Sequence, residues 1–439
     1  MSIDRLFPCV RVQAGGRGAA FVPADLLAIG ISMPSSTCDH EVDPFRALAE
    51  GARQQVYREL AETGPIHRIV RPVGRPGWFV TGYAEARALL ADPRVVKPGP
   101  QGGAFADRMP PEISRGVYTH MLMLNPPDHT RLRRLVGGVF TRRRVEGLAP
   151  RIRDVAEELL APRGGDEVVD LIPAFAYPLP MRVISALLGV PPSAETEFQG
   201  RTKSLVSPAI AGYDAYLDDA RSLLGFLHEL IEEKRQNPGD DLFSDLIAAR
   251  DGGDRLSEDE LTGMAYLLVL AGHETTVNLI ANGMLALLTH PDQLSLLRAE
   301  PERIDAVIEE LLRYDGPVQT TLLAVASEPI QVGDVTIQTG DPIFIVLIAA
   351  NRDPDRFPDP DRLDIRREPA GHLAFGHGIH HCVGAPLARL EARIAIGMLV
   401  ERFPSLELAR PAEDLFRTPS VLMHGLESLP LRFGRPVAG

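Results

Sequence analysis

The sequence predicts a mainly α-helical protein with a minor β component, and three features of the chain indicate this fold class. Helical signals dominate from Asp128 to Asn237. The apolar stretch from Leu261 to Leu287 is too long to be a strand. Strand-like runs are short by comparison and lie on both sides of these segments. Helices therefore dominate the expected fold, with a minor sheet beside them.

The first strands are expected in the run IHRIVRPVGRPGWFVTG, which follows Pro65. Two short strands flank a Gly-Pro turn there, and Trp78 and Phe79 are expected in the core. A second strand region is predicted late in the chain, where the sequence is VTIQTGDPIFIV.

Composition and charge narrow the class of protein. Of the 439 residues, 45% are hydrophobic and 24% are charged, which is enough apolar side chain for a large core. The net charge of -13 excludes a general attraction to nucleic acid or to anionic lipid. No stretch approaches the roughly 20 consecutive apolar residues of a membrane span, and Asp4, Pro8 and Arg11 stand where an export signal would carry an apolar run. The sequence therefore predicts a soluble cytoplasmic protein.

Cysteine usage agrees with a reducing compartment. The chain contains Cys9, Cys38 and Cys382, and so few cysteines do not predict a disulfide framework. A bridge between Cys9 and Cys38 is the one alternative left open.

A basic cluster surrounds His129 inside this acidic chain. A solvated helix face is the simplest interpretation for most of its arginines, and some of them are expected to face an acidic protein partner. His129 and Arg133 are separated by four residues, so both lie on one helical face. The arginines of the cluster are Arg131, Arg133, Arg134, Arg142, Arg143 and Arg144.

The long apolar stretch follows a capping box formed by Ser257 and Glu260. It contains the sequence AGHETT, and a buried carboxylate and a glycine inside a helix both cost stability. Two simpler interpretations are that Glu274 and Thr275 face solvent, or that Thr275 bonds back to a carbonyl one turn earlier. The flanking MAYLLVLA and VNLIANGMLALL are apolar on nearly every face, which favours a functional role.

The most informative segment is FGHGIHHCVG, which places the solitary Cys382 in a glycine-rich loop just before a helix. A lone cysteine is usually a small buried apolar residue. A thiolate here can instead hold a haem iron from one side, because glycines let the backbone approach the macrocycle and a helix N-terminus favours negative charge on sulfur. The other candidate haem-binding residues of the loop are Phe375, Gly376, His380 and Gly384. Gly378 lies four residues before the cysteine and is the other glycine of this loop.

These segments resemble the cytochrome P450 family. The loop fills every position of the family pattern Phe-x-x-Gly-x-His/Arg-x-Cys-x-Gly, and AGHETT matches the signature Ala/Gly-Gly-x-Asp/Glu-Thr of its oxygen-binding helix. EELLR, at residues 309–313, matches its Glu-x-x-Arg helix. The resemblance runs from about Asp43 to the C-terminus, and it implies one triangular domain, residues 41–439, with haem between the oxygen-binding helix and the Cys-loop helix. Residues 1–40 match nothing in the family core, so we interpret them as an extension that is either disordered or the result of a mis-assigned start.

The resemblance also implies roles for individual residues. Cys382 would be the proximal iron ligand, and His129, Arg133 and His380 would donate to the haem propionates. Ala271 and Gly272 would border the dioxygen groove, while Glu274 and Thr275 would relay protons to the bound oxygen so that water leaves. Glu310, Arg313 and Arg362 would form a buried triad that braces the fold.

One position departs from the family. After DGPVQ the family commonly carries an arginine, in a short strand, that pairs with a haem propionate. An alignment through VTIQTGD places Ala324 at that position, with Leu323 as the alternative, so one propionate donor is expected to be lost. We still expect haem to bind through the remaining donors.

The function implied by the resemblance is a haem-dependent monooxygenase. It would insert one oxygen atom from O2 into an apolar small molecule, by hydroxylation or epoxidation, in secondary metabolism such as polyketide/macrolide, steroid or terpenoid tailoring. The cofactor would be haem b. Electrons would come from NAD(P)H through a separate ferredoxin and ferredoxin reductase, because the chain has neither a Gly-rich dinucleotide fingerprint nor a cysteine cluster for iron–sulfur. The protein is expected to act as a monomer without nucleic-acid or membrane partners.

Two rival functions stay open at this point: a peroxide-driven or other non-monooxygenase haem-thiolate enzyme, and a non-catalytic haem-thiolate binding protein. Members that use peroxide often lack the acid–alcohol pair, whereas Glu274 and Thr275 are both present. The residues expected to line a substrate pocket are equally compatible with simple core packing. They are Met121, Met123, Leu205, Ile210, Leu268, Leu322 and Met423.

Overall fold

The computed structural model describes residues 53–69, 76–99, 109–191, 194, 213–251, 256–368, 371–418 and 420–437. The N-terminal extension predicted for residues 1–40 and the alternative Cys9–Cys38 bridge lie outside this part of the chain. So do two of the predicted pocket residues, Leu205 and Ile210.

Helices make up most of the described structure, which confirms the predicted mainly α class. A π-helical turn, Ile172–Ala176, precedes α7. The helices are α1 (Arg53–Thr63), α2 (Tyr83–Ala91), α3 (Pro111–Tyr118), α4 (Asp128–Val139), α5 (Arg142–Gly147), α6 (Ala149–Leu160), α7 (Pro178–Leu188), α8 (Tyr213–Gln236), α9 (Leu242–Asp251), α10 (Glu258–Thr289), α11 (Pro291–Ala299), α12 (Ile304–Asp315), α13 (Leu347–Ala350) and α14 (Ala385–Arg402).

The strands form three small sheets. One sheet has the order β1-β2-β8-β5-β3, a second has the order β4-β10-β9, and β6 pairs with β7. The strands are β1 (Ile66–Ile69), β2 (Gly77–Val80), β3 (Val95–Val96), β4 (Gly165–Asp170), β5 (Ala324–Ala326), β6 (Ile330–Val332), β7 (Val335–Ile337), β8 (Pro342–Ile345), β9 (Glu407–Leu408) and β10 (Pro430–Gly434).

The strand pair predicted around the Gly-Pro turn is present. β1 and β2 pair antiparallel, with Ile66 opposite Val80. Phe79 is buried, as predicted. Trp78 is only half-buried, and its indole Nε1 donates to Asp341 Oδ2, at 3.0 Å, just before β8. An aromatic ring with a polar edge thus anchors the sheet at its boundary.

One strand interrupts the region predicted as helical. β4 pairs antiparallel with β10, and Val169 lies opposite Leu431. A run as short as GDEVVD carries little periodicity of its own, so its conformation depends on a partner near the other end of the chain.

The long helix α10 positions the candidate site. Its N-terminus has the predicted capping box, in which the Ser257 hydroxyl accepts from the Glu260 N–H and the Glu260 carboxylate accepts from the Ser257 N–H. By length and composition alone α10 could cross a membrane, but 72% of its most apolar 18-residue window is buried inside the protein. It packs against α3, α7, α12 and α14, as the central helix of the core.

Candidate functional site

The Cys loop holds its shape through glycines. Gly376 and Gly378 both have a φ of 71°, in the left-handed region. A Cβ at Gly378 would lie 2.3 Å from the Leu90 carbonyl oxygen, so the loop can pack on α2 only with glycine there. The Cys382 N–H donates to the Phe375 carbonyl at 2.9 Å and closes the loop just before α14. The thiol is therefore presented by a constrained backbone.

The Cys382 side chain is accessible although protein surrounds it, which places the thiol on the wall of a cleft. Burial raises the pKa of the thiol. The N–H groups of Gly384 and Ala385, together with the Arg133 and Arg389 guanidiniums, oppose that rise. The thiolate-stabilising groups expected at a helix N-terminus are thus present, but burial outweighs them. A bound metal cation would favour the thiolate further.

The AGHETT segment lies in the middle of α10. Ala271 is exposed there, whereas Leu267 and Leu268 one turn earlier are buried and Glu274 and Thr275 one turn later are half-buried. The Thr275 hydroxyl donates to the Ala271 carbonyl at 2.8 Å, which is the back-bond considered above as a simpler interpretation. This bond uses only the hydroxyl proton, so the oxygen can still accept a hydrogen bond.

Glu274 is suited to move protons near neutral pH. Its carboxylate accepts a hydrogen bond from Asn278 Nδ2 at 3.3 Å. Burial raises its pKa to about 7, and the Asn278 bond opposes that rise. Both protonation states are therefore populated at pH 7, as general acid–base chemistry requires.

Gly272 has a packing role. A Cβ at this position would lie 3.2 Å from Ile184 Cδ1, so the missing side chain lets α7 approach α10. Its contribution to a dioxygen groove stays a prediction.

A buried carboxyl that the sequence did not reveal lies beside this segment. Glu391 on α14 is 1% exposed, and its side chain bonds to the Thr276 hydroxyl. Burial raises the pKa of Glu391 to about 8, which the bond to Thr276 opposes. The local helical pattern gave no sign that this side chain meets α10.

Four basic groups lie close together around His380 of the Cys loop. The rings of His129 and His380 lie 4.5 Å apart, and both ring nitrogens of the buried His129 lack a hydrogen-bond partner among the described residues. The pKa of His380 falls to about 3 through burial and through the charges of Lys97, His129 and Arg133. Burial, and then the Arg133 charge, lowers the pKa of His129.

In the described part of the chain, no carboxylate pairs with any member of this basic cluster, defined as Lys97, His129, Arg133 and His380. Lys97 and Arg133 are cations that burial destabilises without a counter-ion, whereas the lowered pKa values leave the His129 and His380 rings neutral, as N–H donors. Two carboxylates of a bound group would satisfy them, as the propionates of haem do. The residues present therefore fit a haem whose iron lies against Cys382.

Other arginines of the segment are already paired within the chain. Arg131 binds Glu260, Arg142 binds Glu146 at 2.7 Å and Arg144 binds Asp245. Ion pairs at the surface are weak and leave these side chains accessible, so the expectation that these arginines face a protein partner stays a prediction. Arg389 also forms an ion pair within the chain, because its guanidinium donates twice to the Glu309 carboxylate, at 2.6 and 2.8 Å.

The structure corrects the third member of the predicted triad. Glu310 and Arg313 form a buried bidentate pair, at 2.7 and 2.8 Å. The second guanidinium on Glu310 comes from Arg367, at 3.3 Å. Arg362 is exposed and offers Arg313 only its backbone carbonyl, at 3.2 Å. The physical reason is that Leu363 and Ile365 point inward, which turns Arg362 outward, and a turn after Asp364 brings Arg367 back.

The predicted pocket residues fall into two groups. Met121, Met123 and Leu268 are buried, and Met121 and Leu268 belong to the main core. Leu322 and Met423 are half-buried. Their contact with a substrate stays a prediction.

Comparison with known proteins identifies the family. The family model described as Cytochrome P450 matches residues 203–428. The cytochrome P450 monooxygenase PikC of Streptomyces venezuelae is 46% identical over 388 residues, which are 86% of this chain and 90% of the relative. The polyketide biosynthesis cytochrome P450 PksS of Bacillus subtilis is 40% identical over 386 residues, 87% of this chain and 95% of the relative.

Solved structures agree with these relatives. The tirandamycin C-bound P450 monooxygenase TamI has a TM-score of 0.82 and 42% identity, and the match covers 90% of this chain and 100% of that chain. The predictions of the fold and of a monooxygenase, rather than either rival function, are thereby confirmed. The chain belongs to the cytochrome P450 family and is a haem-thiolate monooxygenase, which uses O2 and electrons from redox partners.

Proposed function

We propose that this monooxygenase binds haem b and hydroxylates or epoxidises a polyketide or macrolide. The observation that carries the proposal is the accessible Cys382 thiol just before α14, with His380 two residues earlier and the His129 ring 4.5 Å from the His380 ring. The AGHETT segment of α10, in which Ala271 is exposed, supports it. The polyketide class is supported by the similarity to PksS, a cytochrome P450 of polyketide biosynthesis.

Each site residue has a proposed task. Cys382 would hold the iron, while His129, Arg133 and His380 would bind the propionates and Phe375, Gly376 and Gly384 would shape the loop against the macrocycle. The bound haem supplies the oxygen chemistry, and the thiolate favours O–O cleavage. Glu274 would take protons from water and pass them towards Thr275, whose hydroxyl would hand them to the oxygen substrate. The small side chain of Ala271 would leave space for this proton path.

Electron supply and setting complete the proposal. We infer that a ferredoxin and a ferredoxin reductase deliver electrons from NAD(P)H to a cytoplasmic, monomeric enzyme whose single domain spans residues 41–439. Arg134 supports a docking surface near the Cys loop, because it is exposed and follows Arg133, whose charge acts on Cys382. An acidic partner would associate faster at low salt.

The testing experiment is a carbon monoxide difference spectrum of the dithionite-reduced protein, followed by titration with macrolides, steroids and terpenoids. We expect a strongly red-shifted Soret band, its loss in Cys382→Ser, and a low-to-high-spin change with macrolides. A retained band in Cys382→Ser would contradict the ligand assignment. A spin change with steroids or terpenoids alone would contradict the substrate class.

A second measurement tests the electron route. Turnover with NADPH, ferredoxin and reductase should form product, and peroxide alone should form little. The reverse result would overturn the proposed electron supply.

A further inference from the structure

We propose that Lys97 replaces the arginine missing at Ala324 and binds a haem propionate. The proposal rests on haem binding at the site proposed above and names a positioning residue that sequence motifs do not indicate.

Strand register places Lys97 next to the vacant position. β3 and β5 pair antiparallel, with Val95 opposite Ala326 and Val96 opposite Val325. Lys97 directly follows Val96 and Ala324 directly precedes Val325, so the two residues lie at the same end of this strand pair. A cation lost from one strand is therefore restored from its neighbour.

The backbone of Lys97 is fixed beside the helix that carries His129. The Asn125 side chain accepts from the Lys97 N–H at 2.8 Å and donates to the Lys97 carbonyl at 2.7 Å. Asn125 lies just before α4, so this pair of bonds ties the end of β3 to the start of that helix. The Lys97 position is thus set by two bonds that do not use its ammonium group.

The Lys97 ammonium group has one hydrogen-bond partner among the described residues. Nζ donates to the Leu322 carbonyl at 3.3 Å, two residues before Ala324. An ammonium has three donors, and within the described ranges a carboxylate does not lie within salt-bridge distance of this one. The side chain is half-buried, and burial lowers its pKa to about 8, so it is still mostly charged at pH 7. A half-buried cation with two donors that the described residues do not use can bind an anion.

The other members of the basic cluster point to the same anion. The bonds with Asn125 hold Lys97 beside the start of α4, the helix that carries His129 and Arg133, and the His129 ring lies 4.5 Å from the His380 ring. These four groups offer donors to the two carboxylates of haem. Ala324 is buried and carries only a methyl group, so it supplies no cation itself.

The test compares Lys97→Gln with the wild-type holoenzyme. Glutamine keeps a donor for the Leu322 carbonyl but has no charge. We expect haem to transfer to excess apomyoglobin about tenfold faster, as the loss of one charge-assisted hydrogen bond predicts. The reduction potential should shift to a more negative value, because a cation near the propionates stabilises the reduced haem. Neither measurement requires substrate or turnover, so a wrong substrate class would not affect them.

Three variants serve as controls. Lys97→Arg should stay close to wild type, and Lys97→Gln/Ala324→Arg should regain slow haem loss by restoring the cation on the opposite strand. Arg94→Gln removes a charge three residues earlier, where the arginine binds Asp92, and should change neither quantity. Wild-type haem transfer and potential in Lys97→Gln would overturn the proposal. So would a double variant that loses haem as fast as Lys97→Gln, since the effect would then not be one of charge.

Discussion

At the residue scale, Thr275 is distinguished by its surroundings and not by its own hydrogen bond. Thr275 and Thr289 lie on the same helix, and each hydroxyl donates at 2.8 Å to the carbonyl four residues earlier. Thr275 is half-buried and follows the half-buried Glu274, whereas Thr289 is exposed at the end of α10. The two threonines therefore form a matched pair for mutation.

We predict that Thr275→Ala continues to consume oxygen but forms at least about tenfold less product, because a positioned proton donor contributes on the order of 10² or more to rate. Oxygen uptake, peroxide release and product are measured in parallel, and Thr289→Ala should behave as wild type. Equal coupling of oxygen to product in the two variants would exclude a proton-relay role for Thr275.

At the element scale, the buried pair of Glu310 and Arg313 joins α12 to the loop that leads to the Cys segment. Arg313 donates to the carbonyls of Asn351 and Pro360, at 3.1 and 2.8 Å. Arg367 donates to Glu310 and also to the Pro358 carbonyl, at 2.6 Å. One carboxylate and two guanidiniums thus hold a long irregular segment in place.

We predict that Arg367→Met lowers the free energy of unfolding by about 2–4 kcal/mol, because it leaves a buried carboxylate with one fewer partner. Arg362→Met should change it by less than about 0.5 kcal/mol, because that side chain is exposed. Urea unfolding followed by circular dichroism and haem absorbance compares the two. A larger loss of unfolding free energy in Arg362→Met than in Arg367→Met would instead support the predicted triad of Glu310, Arg313 and Arg362.

At the scale of the whole molecule, Glu391 makes stability depend on pH. Its pKa is about 8 in the folded protein, against 4.5 for an unperturbed glutamate. The folded state therefore holds a proton that the unfolded state releases, so this contribution to stability is complete below about pH 4.5 and declines as pH rises towards 8. This difference in pKa corresponds to roughly 5 kcal/mol.

We predict that Glu391→Gln, which cannot ionise, gains stability relative to wild type as pH is raised from 5 to 8. Denaturant unfolding at several pH values measures the difference between the two proteins. Glu401→Gln, an exposed site on the same helix, should show a constant difference. The idea fails if Glu391→Gln also keeps a constant offset from wild type across this range.

Much of the fold and site could be predicted because the signals are local. The capping box at Ser257, the i,i+4 relation of His129 and Arg133 and the glycine pattern around Cys382 each depend on residues within one or two turns. Such patterns fix helix boundaries and shared faces without reference to the rest of the chain. β4 was missed because a short strand takes its conformation from a distant partner, here β10.

The sequence by itself determined the family, the thiolate loop and the oxygen-binding helix of this protein. Only the tertiary structure decided that Arg367 rather than Arg362 meets Glu310, that Glu391 meets Thr276, and that the Lys97 ammonium meets the Leu322 carbonyl near Ala324. These contacts join segments that are separated along the chain. Turn geometry, helix packing and strand register set them, and no periodicity of a single segment encodes those quantities.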